Sequence, residues 1–317
     1  MAAMRKGLAA VSLLVFTLIA AYAAAGAPSA VSIAMPRFTP VPPINVSAFE
    51  PEVGRVALTS RDRVRPPAGE PGKWDVVPVA ASDATALLEQ LVMAERAVRD
   101  PAVTGKELAY MGHLQQLVYF RLIERADLRD TVFDGIPKDL RRAADLSIAA
   151  GANLWLWDST DVTELPEWRI VSAPSVHELL TYYREAEAEF GVPWYYLAAI
   201  NLVETRMGRI RGDSYAGAQG PMQFMPATWD MYGEGDINDV RDAILAAGRY
   251  LHATGAPARM ERAIWMYNHD NEYVDAVMKY GEVMRDDPSA FRGYYGWQVY
   301  FVTANGTLLL PEGWSKN

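Results

Sequence analysis

From Ser82 onward, apolar residues recur with the period of a helix. Ala84, Leu87, Leu88, Leu91 and Val98 fall on one side of a 3.6-residue repeat, Ser82 stands where an N-cap belongs, and Pro101 follows the segment. A second stripe, Leu114, Leu117, Val118 and Leu122, predicts a helix over about 106–125, and a third helix is expected over about 137–157. Ser175-Val176-His177-Glu178 has capping-box spacing, so another helix opens there and closes at Gly191; Pro193 suits the first position of the next. Later helices are expected over 239–253 before Gly255, over 259–267, and after Asn271. Near the end, apolar stretches over 297–303 and 307–310 flank Ala304-Asn305-Gly306, and Asn-Gly predicts a β-hairpin. The pattern is that of a mainly α chain with one small C-terminal β-hairpin, and no internal repeat is evident.

Upstream the pattern differs. Ten of the twenty prolines lie between Pro28 and Pro78, with scattered apolar residues among them, which predicts an extended linker over 28–80. A small strand-bearing unit that uses Val76, Val77 and Val79 is the alternative. Before it, Arg5-Lys6 precedes an uncharged run from Gly7 to Ala27, the pattern of a signal sequence. Ala21-Tyr22-Ala23 and Ala25-Gly26-Ala27 fit small-x-small cleavage sites. The same run, at about 1.5 Å per residue, would also just span a bilayer core, so a cleaved signal peptide and a signal anchor are both open. The expected organisation is therefore 1–27 signal peptide or anchor, 28–80 linker, 81–165 helical accessory region and 166–317 a C-terminal main domain. Trp155, Trp157 and Trp168 are expected to pack between these last two, with sugar binding as the alternative.

Composition narrows the chemistry. With 317 residues, half of them hydrophobic, the chain can bury a sizeable core in about two domains. Thirty basic residues against 39 acidic ones give a net charge of −9, and no basic block appears, which argues against nucleic acid as a partner. Cysteine is absent, and His113, His177, His252 and His269 show no paired spacing, so neither a metal site nor a disulfide is expected, and no cofactor is implied.

One carboxylate stands out. On the helix after Pro193, Leu197, Ile200 and Glu204 fall at i, i+3 and i+7, so an acid shares a face with apolar neighbours. Gly208 marks the expected helix end. Partial desolvation and the negative end of the helix dipole both raise such a pKa, which suits a group that must donate a proton near neutral pH. Arg206, Arg209 and Arg211 would oppose this if they approach, and a helix-end Glu paired with Arg is the ordinary reading. Ten residues on, Ser214-Tyr215-Ala216-Gly217-Ala218-Gln219-Gly220-Pro221-Met222-Gln223 combines permissive glycines with an amide that can both donate and accept. Later comes Trp265-Met266-Tyr267-Asn268-His269, an aromatic hydroxyl beside an amide.

In this order and spacing these pieces resemble the lytic transglycosylases, over about residues 174–284. Glu204-Thr205, Ser214, Gly220-Pro221-Met222-Gln223 and Tyr267-Asn268 match the family's elements in turn. Thr205 and Pro221 lean toward its membrane-bound B-type branch, and Val203-Glu204-Thr205 with Gly-Pro-Met-Gln-Phe-Met-Pro is similar to actinobacterial-type secreted members. The resemblance implies a goose-type-lysozyme-like catalytic domain and peptidoglycan glycan strands as substrate, with cell-wall synthesis or remodelling proteins as further partners. It implies Glu204 as the single catalytic acid and base, and a sugar held by Ser214, Tyr215, Gly220, Met222, Gln223, Tyr267 and Asn268. A hydrolytic muramidase and a non-catalytic glycan-binding module are the alternatives. Asp213, Glu234, Asp236 and Asp239, the acids near the loop, read as surface groups or helix caps. The implied location is outside the cytoplasmic membrane, secreted, wall-associated or anchored by the N-terminal segment.

Overall fold

The computed structural model describes residues 74, 76–155, 164–303 and 306–316. The expected leader, nearly all of the linker, Trp157 and the Ala304-Asn305 pair lie outside the described residues. Helix α1 (Ala84–Arg99) buries Leu87, Leu91, Ala94 and Val98, as its stripe predicts, but Asp83 rather than Ser82 caps it. The Asp83 carboxylate accepts the Ala86 N–H at 2.9 Å; one residue earlier, the hydroxyl falls short of the first turn's donors.

Helix α2 (Gly105–Glu124) is buried almost all round from Met111 to Tyr119, broader than the stripe suggested. The reason is its place, since α1 covers one side while α4 (Lys138–Trp155) and α11 (Phe291–Tyr295) cover others. Between α2 and α4 lies an unexpected helix, α3 (Ala126–Gly135). Only Leu128, Val132 and Phe133 are apolar in its working face, too few for a periodic signal.

The remaining helices are α5 (Val176–Phe190), α6 (Trp194–Thr205), α7 (Pro226–Tyr232), α8 (Val240–Thr254), α9 (Met260–Tyr267) and α10 (Asn271–Asp286). The capping box at Ser175 and Glu178 is formed, and Gly191 closes α5 in the left-handed conformation at φ 70°. Pro193 is the N-cap of α6 rather than its first residue. Helix α6 is the central element, its residues from Tyr196 to Leu202 all buried among α5, α8 and α10.

One continuous apolar cluster runs from Leu87 on α1 to Trp297 after α11, so the first four helices share a core with the later ones. Helix α4 lies along α10, and a buried polar knot fastens α1 and α2 to the chain beyond α10. Within it Glu95, wholly buried, accepts from Tyr119, from Arg99 and from Gln115 Nε2; Arg99 also reaches Asp287, and Trp297 donates to Gln115 at 3.1 Å. The predicted hairpin forms as β3 (Val299–Thr303) against β4 (Gly306–Leu310), in register from Val299↔Leu310 to Thr303↔Gly306. A second pair, β1 (Arg169–Ile170) with β2 (Ile210–Arg211), is too short to leave a sequence signal. Trp168 packs edge to face on Phe301 in the small cluster that joins the two pairs. Among the described residues, no helix is long and apolar enough to cross a membrane.

The two layers touch most closely at Gly112 of α2. A Cβ there would lie 2.7 Å from the Gly293 carbonyl oxygen and 2.8 Å from the Gly296 Cα, both backbone atoms that cannot swing aside. Gly112→Ala should therefore destabilise the protein by about 1–3 kcal/mol, more than the ~1 kcal/mol that alanine gains in helix propensity. The expected readout is a lower urea midpoint, and an unchanged midpoint would mean that α2 is not held against α11.

Candidate active site

Helix α6 delivers Glu204 as its next-to-last residue, one turn beyond the fully buried Ile200 and two beyond the fully buried Leu197. The helix then stops abruptly. Arg206, Met207 and Gly208 are all left-handed, with φ of 52°, 62° and 78°, so the break starts two residues before the glycine expected to mark it. Such a conformation costs a side-chain-bearing residue about 1–2 kcal/mol, and it persists only where neighbours fix it. Here Met207 N–H returns to the Asn201 carbonyl at 3.1 Å, and Gly208 N–H donates to Thr205 Oγ1 at 3.0 Å.

Thr205 and Asn201 do the fixing. Both donate to one acceptor, the Pro221 carbonyl, at 2.6 and 2.8 Å. Asn201 also donates to Thr205 Oγ1 at 3.2 Å and accepts from the Tyr183 hydroxyl at 2.7 Å. Each side-chain donor and acceptor in this buried group is thus used, as burial demands. The bonds pin the 219–224 loop to the end of α6.

That loop is pinched shut by reciprocal backbone bonds between Gln219 and Phe224 at 2.8 and 2.9 Å. Gly220 turns at φ 72° directly under the Ile237 carbonyl oxygen, which a Cβ would meet at 1.9 Å, so no other residue fits. Gln223, also left-handed at φ 50°, folds its amide back to the Gly220 carbonyl at 2.9 Å. The Met222 side chain is wholly buried, while its carbonyl accepts from the Tyr267 hydroxyl. Phe224, Tyr250 and Tyr267 pack edge to face around this contact.

Glu204 stands at the junction of these parts. Burial pushes its carboxyl up to about 7, and the Tyr273 hydroxyl, which donates to Oε1 at 2.5 Å, acts against that rise. Among the described residues no charged neighbour adds to either effect. The three arginines are turned elsewhere: Arg206 to the Leu202 carbonyl, Arg209 to the Arg206 carbonyl and the Tyr295 ring, Arg211 to the Asn238 carbonyl. The phenols of Tyr267 and Tyr273 are in turn held well above their usual range by burial and by the nearby Glu204. The arrangement is a partly desolvated acid with one oxygen engaged and Oε2 without a hydrogen bond among the described residues, able to give and retake a proton near neutral pH.

Of the residues singled out in the sequence, Glu204, Gly220, Met222, Gln223 and Tyr267 are joined in one network. Asn268 caps the end of α9 beside it, partly exposed. Ser214 and Tyr215 are set apart: Ser214 Oγ accepts from Ala218 N at 3.0 Å and closes its own turn, while Tyr215 is 58% exposed on that turn. Asp213 accepts from Gln219, Glu234 pairs with Arg249, and Asp236 and Asp239 cap local turns. His113 is buried against the Tyr300 hydroxyl at 2.7 Å, and burial lowers its pKa to about 4. The other three histidines are exposed. Tyr273 was missed in the sequence because it is one more aromatic on an amphipathic helix; only its place, in the turn that Asp270 caps after Asn268, could have drawn notice. Among the described residues there is no cluster of three or more side chains placed to hold a metal ion.

The chain is 26% identical over 141 residues to the membrane-bound lytic murein transglycosylase F of Thiobacillus denitrificans. The match covers 42% of this chain and 29% of that protein, so the chain spans well under a third of its relative's length. The resemblance to lytic transglycosylases is therefore carried by a known protein as well as by the motifs. No protein-family model matches the chain, and no solved structure does.

The raised Glu204 pKa has a consequence for stability. The folded carboxyl binds its proton more tightly than the unfolded one, so the protein loses stability as pH rises from about 4.5 to about 7. Glu204→Gln keeps the shape and has no such loss. At pH 8 the variant should be more stable than the parent by about 1–3 kcal/mol, and at pH 4 the two should coincide. Denaturation curves across this range check it; parallel pH profiles would mean that Glu204 titrates normally.

Proposed function

We propose that this protein is a lytic transglycosylase that cleaves the β-1,4 bond between N-acetylmuramic acid and N-acetylglucosamine in peptidoglycan and leaves 1,6-anhydro-muramyl ends. The observation that carries this is the lone Glu204 carboxyl, protonated near neutral pH, oriented by Tyr273 and set against the clamped 219–224 loop. Most glycosidases flank the bond with two carboxylates. Here one acid serves twice. Glu204 gives the proton on Oε2 to the glycosidic oxygen as the C1–O4 bond breaks. The carboxylate then takes the proton of the sugar's own 6-hydroxyl as O6 bonds to C1, which returns the enzyme to its starting state. An intramolecular nucleophile already carries a high effective molarity, so no second carboxylate is required to activate water. We assign sugar-holding roles to the loop at Gly220 to Gln223, to Tyr267 and Asn268, and to Ser214 and Tyr215 at its rim. The murein-degrading, membrane-bound relative supports a cell-envelope setting, and we propose that the N-terminal segment carries the protein across the cytoplasmic membrane.

Digestion of purified glycan strands, with mass spectrometry of the released ends, tests the chemistry. Anhydro ends, one water lighter than reducing ends, are expected, and reducing ends alone would install a hydrolytic muramidase instead. Glu204→Gln should abolish cleavage, while Asp213→Asn and Glu234→Gln should leave turnover within about tenfold, since a lost catalytic acid or base costs 10²-fold or more. Activity should fall as pH rises through about 7, because the first step needs the protonated acid. Tyr273→Phe removes the donor that lowers this pKa, so its alkaline limb should move to higher pH with reduced kcat. An unmoved limb would deny Tyr273 its positioning role.

A further inference from the structure

Helices α9 and α10 carry Tyr267 and Tyr273 toward Glu204 on one side. On another they flank an open surface hollow of about 300 Å³, lined by Glu261, Arg262, Trp265, Asn271 and Val274. Glu261 and Arg262 precede Trp265 by one turn, and Asn271 and Val274 are one turn apart, so each helix presents a coherent face to the hollow. Trp265 lies about 200° round α9 from Tyr267, so this surface is outside the catalytic cleft. Its indole is 39% exposed, although His269 holds it edge to face at 4.4 Å. A braced yet exposed tryptophan offers a flat apolar platform. Around it the side chains of Glu261, Arg262 and Asn271 are exposed and have no partners of their own among the described residues, which leaves a carboxylate, a guanidinium and an amide free for a ligand. An aromatic face rimmed by planar donors and acceptors is the chemistry that binds a pyranose ring, which is apolar on its C–H face and polar at its edge. A protein partner would call for a wider apolar surface than one indole and Val274.

We propose that this hollow is a second saccharide site, which binds an N-acetylated sugar of a glycan strand outside the catalytic cleft. The choice of a glycan-strand occupant rests on the function proposed above. Only the short 268–270 corner joins α9, which carries Trp265, to α10, which carries Tyr273. The site makes this enzyme hold polymer in preference to short fragments.

The test uses the full chain with Glu204→Gln, so that ligand is not consumed, and two probes: peptide-free glycan strands and a soluble β-1,4-linked N-acetylglucosamine tetramer. Adding Trp265→Ala should weaken strand binding roughly five- to tenfold, about the worth of one aromatic contact. Trp265→Phe should recover most of it, and Arg262→Ala should weaken it independently of the ring. Thermal melts should be unchanged, because both side chains are exposed. In the catalytically intact protein, Trp265→Ala should raise KM for strands with little change in kcat, and in the Glu204→Gln protein it should leave tetramer binding in the cleft unaffected. Equal strand affinity with and without Trp265 overturns the site, even if anhydro ends confirm the cleavage chemistry. Trp265-dependent binding in a protein that produces no anhydro ends would support the site and refute the cleavage chemistry.

Discussion

The Pro221 carbonyl is the point on which the catalytic region depends. Thr205 and Asn201, one turn apart on α6, both donate to it, and this ties the segment with the acid to the loop against which the acid must work. A hydroxyl after Glu204 is therefore a structural requirement. With Val at that position, Pro221 would keep one donor, while the Gly208 N–H and one Asn201 N–H would lose their acceptor inside a buried site. The left-handed run from Arg206 to Gly208 is tolerated because these same bonds fix its geometry.

Two glutamates, Glu95 wholly buried and Glu204 half-buried, show how environment sets a carboxyl's behaviour. Glu95 is wholly enclosed, but Arg99, Gln115 and Tyr119 satisfy it, and the knot fastens two helices to the far end of the chain. Among the described residues, Glu204 has one donor, Tyr273, and no cation. Its burial is thus only partly compensated and appears as a raised pKa, which means a loss of stability as pH rises toward 7. Tyr273 limits that rise and at the same time engages Oε1.

The first four helices bear on the site from behind, through packing and through polar contacts such as Arg142 with Glu282 and Asp286. Helix α4 lies along α10, α10 bears Tyr273, and α2 meets α11 backbone to backbone at Gly112. The position of the Tyr273 hydroxyl is therefore set from behind by residues far from it in sequence. A layer of this kind restrains the Tyr273–Glu204 pair, since close-packed interiors have low compressibility and transmit strain.

The sequence by itself determined the mainly α class, the capping box at Ser175, the close at Gly191, the hairpin before Gly306, and the place of Glu204 near a helix end ahead of a glycine-rich loop. Each of these depends on local spacing: a cap three residues from its acceptor, a left-handed glycine, an alternation, an ordered motif. Asp83 in place of Ser82, the short α3 and the two-residue β1–β2 pair escaped because competing caps and short elements carry too little periodic signal. What only the tertiary structure decided involves residues distant in sequence. Tyr273 reaches Glu204 across 69 positions, Thr205 reaches Pro221 across 16, and no local pattern encodes either meeting. The arginines beside Glu204 in sequence turned away because the left-handed break after Thr205 sends their side chains to carbonyls. That choice, made by the fold, is what leaves the acid desolvated and unpaired with any cation.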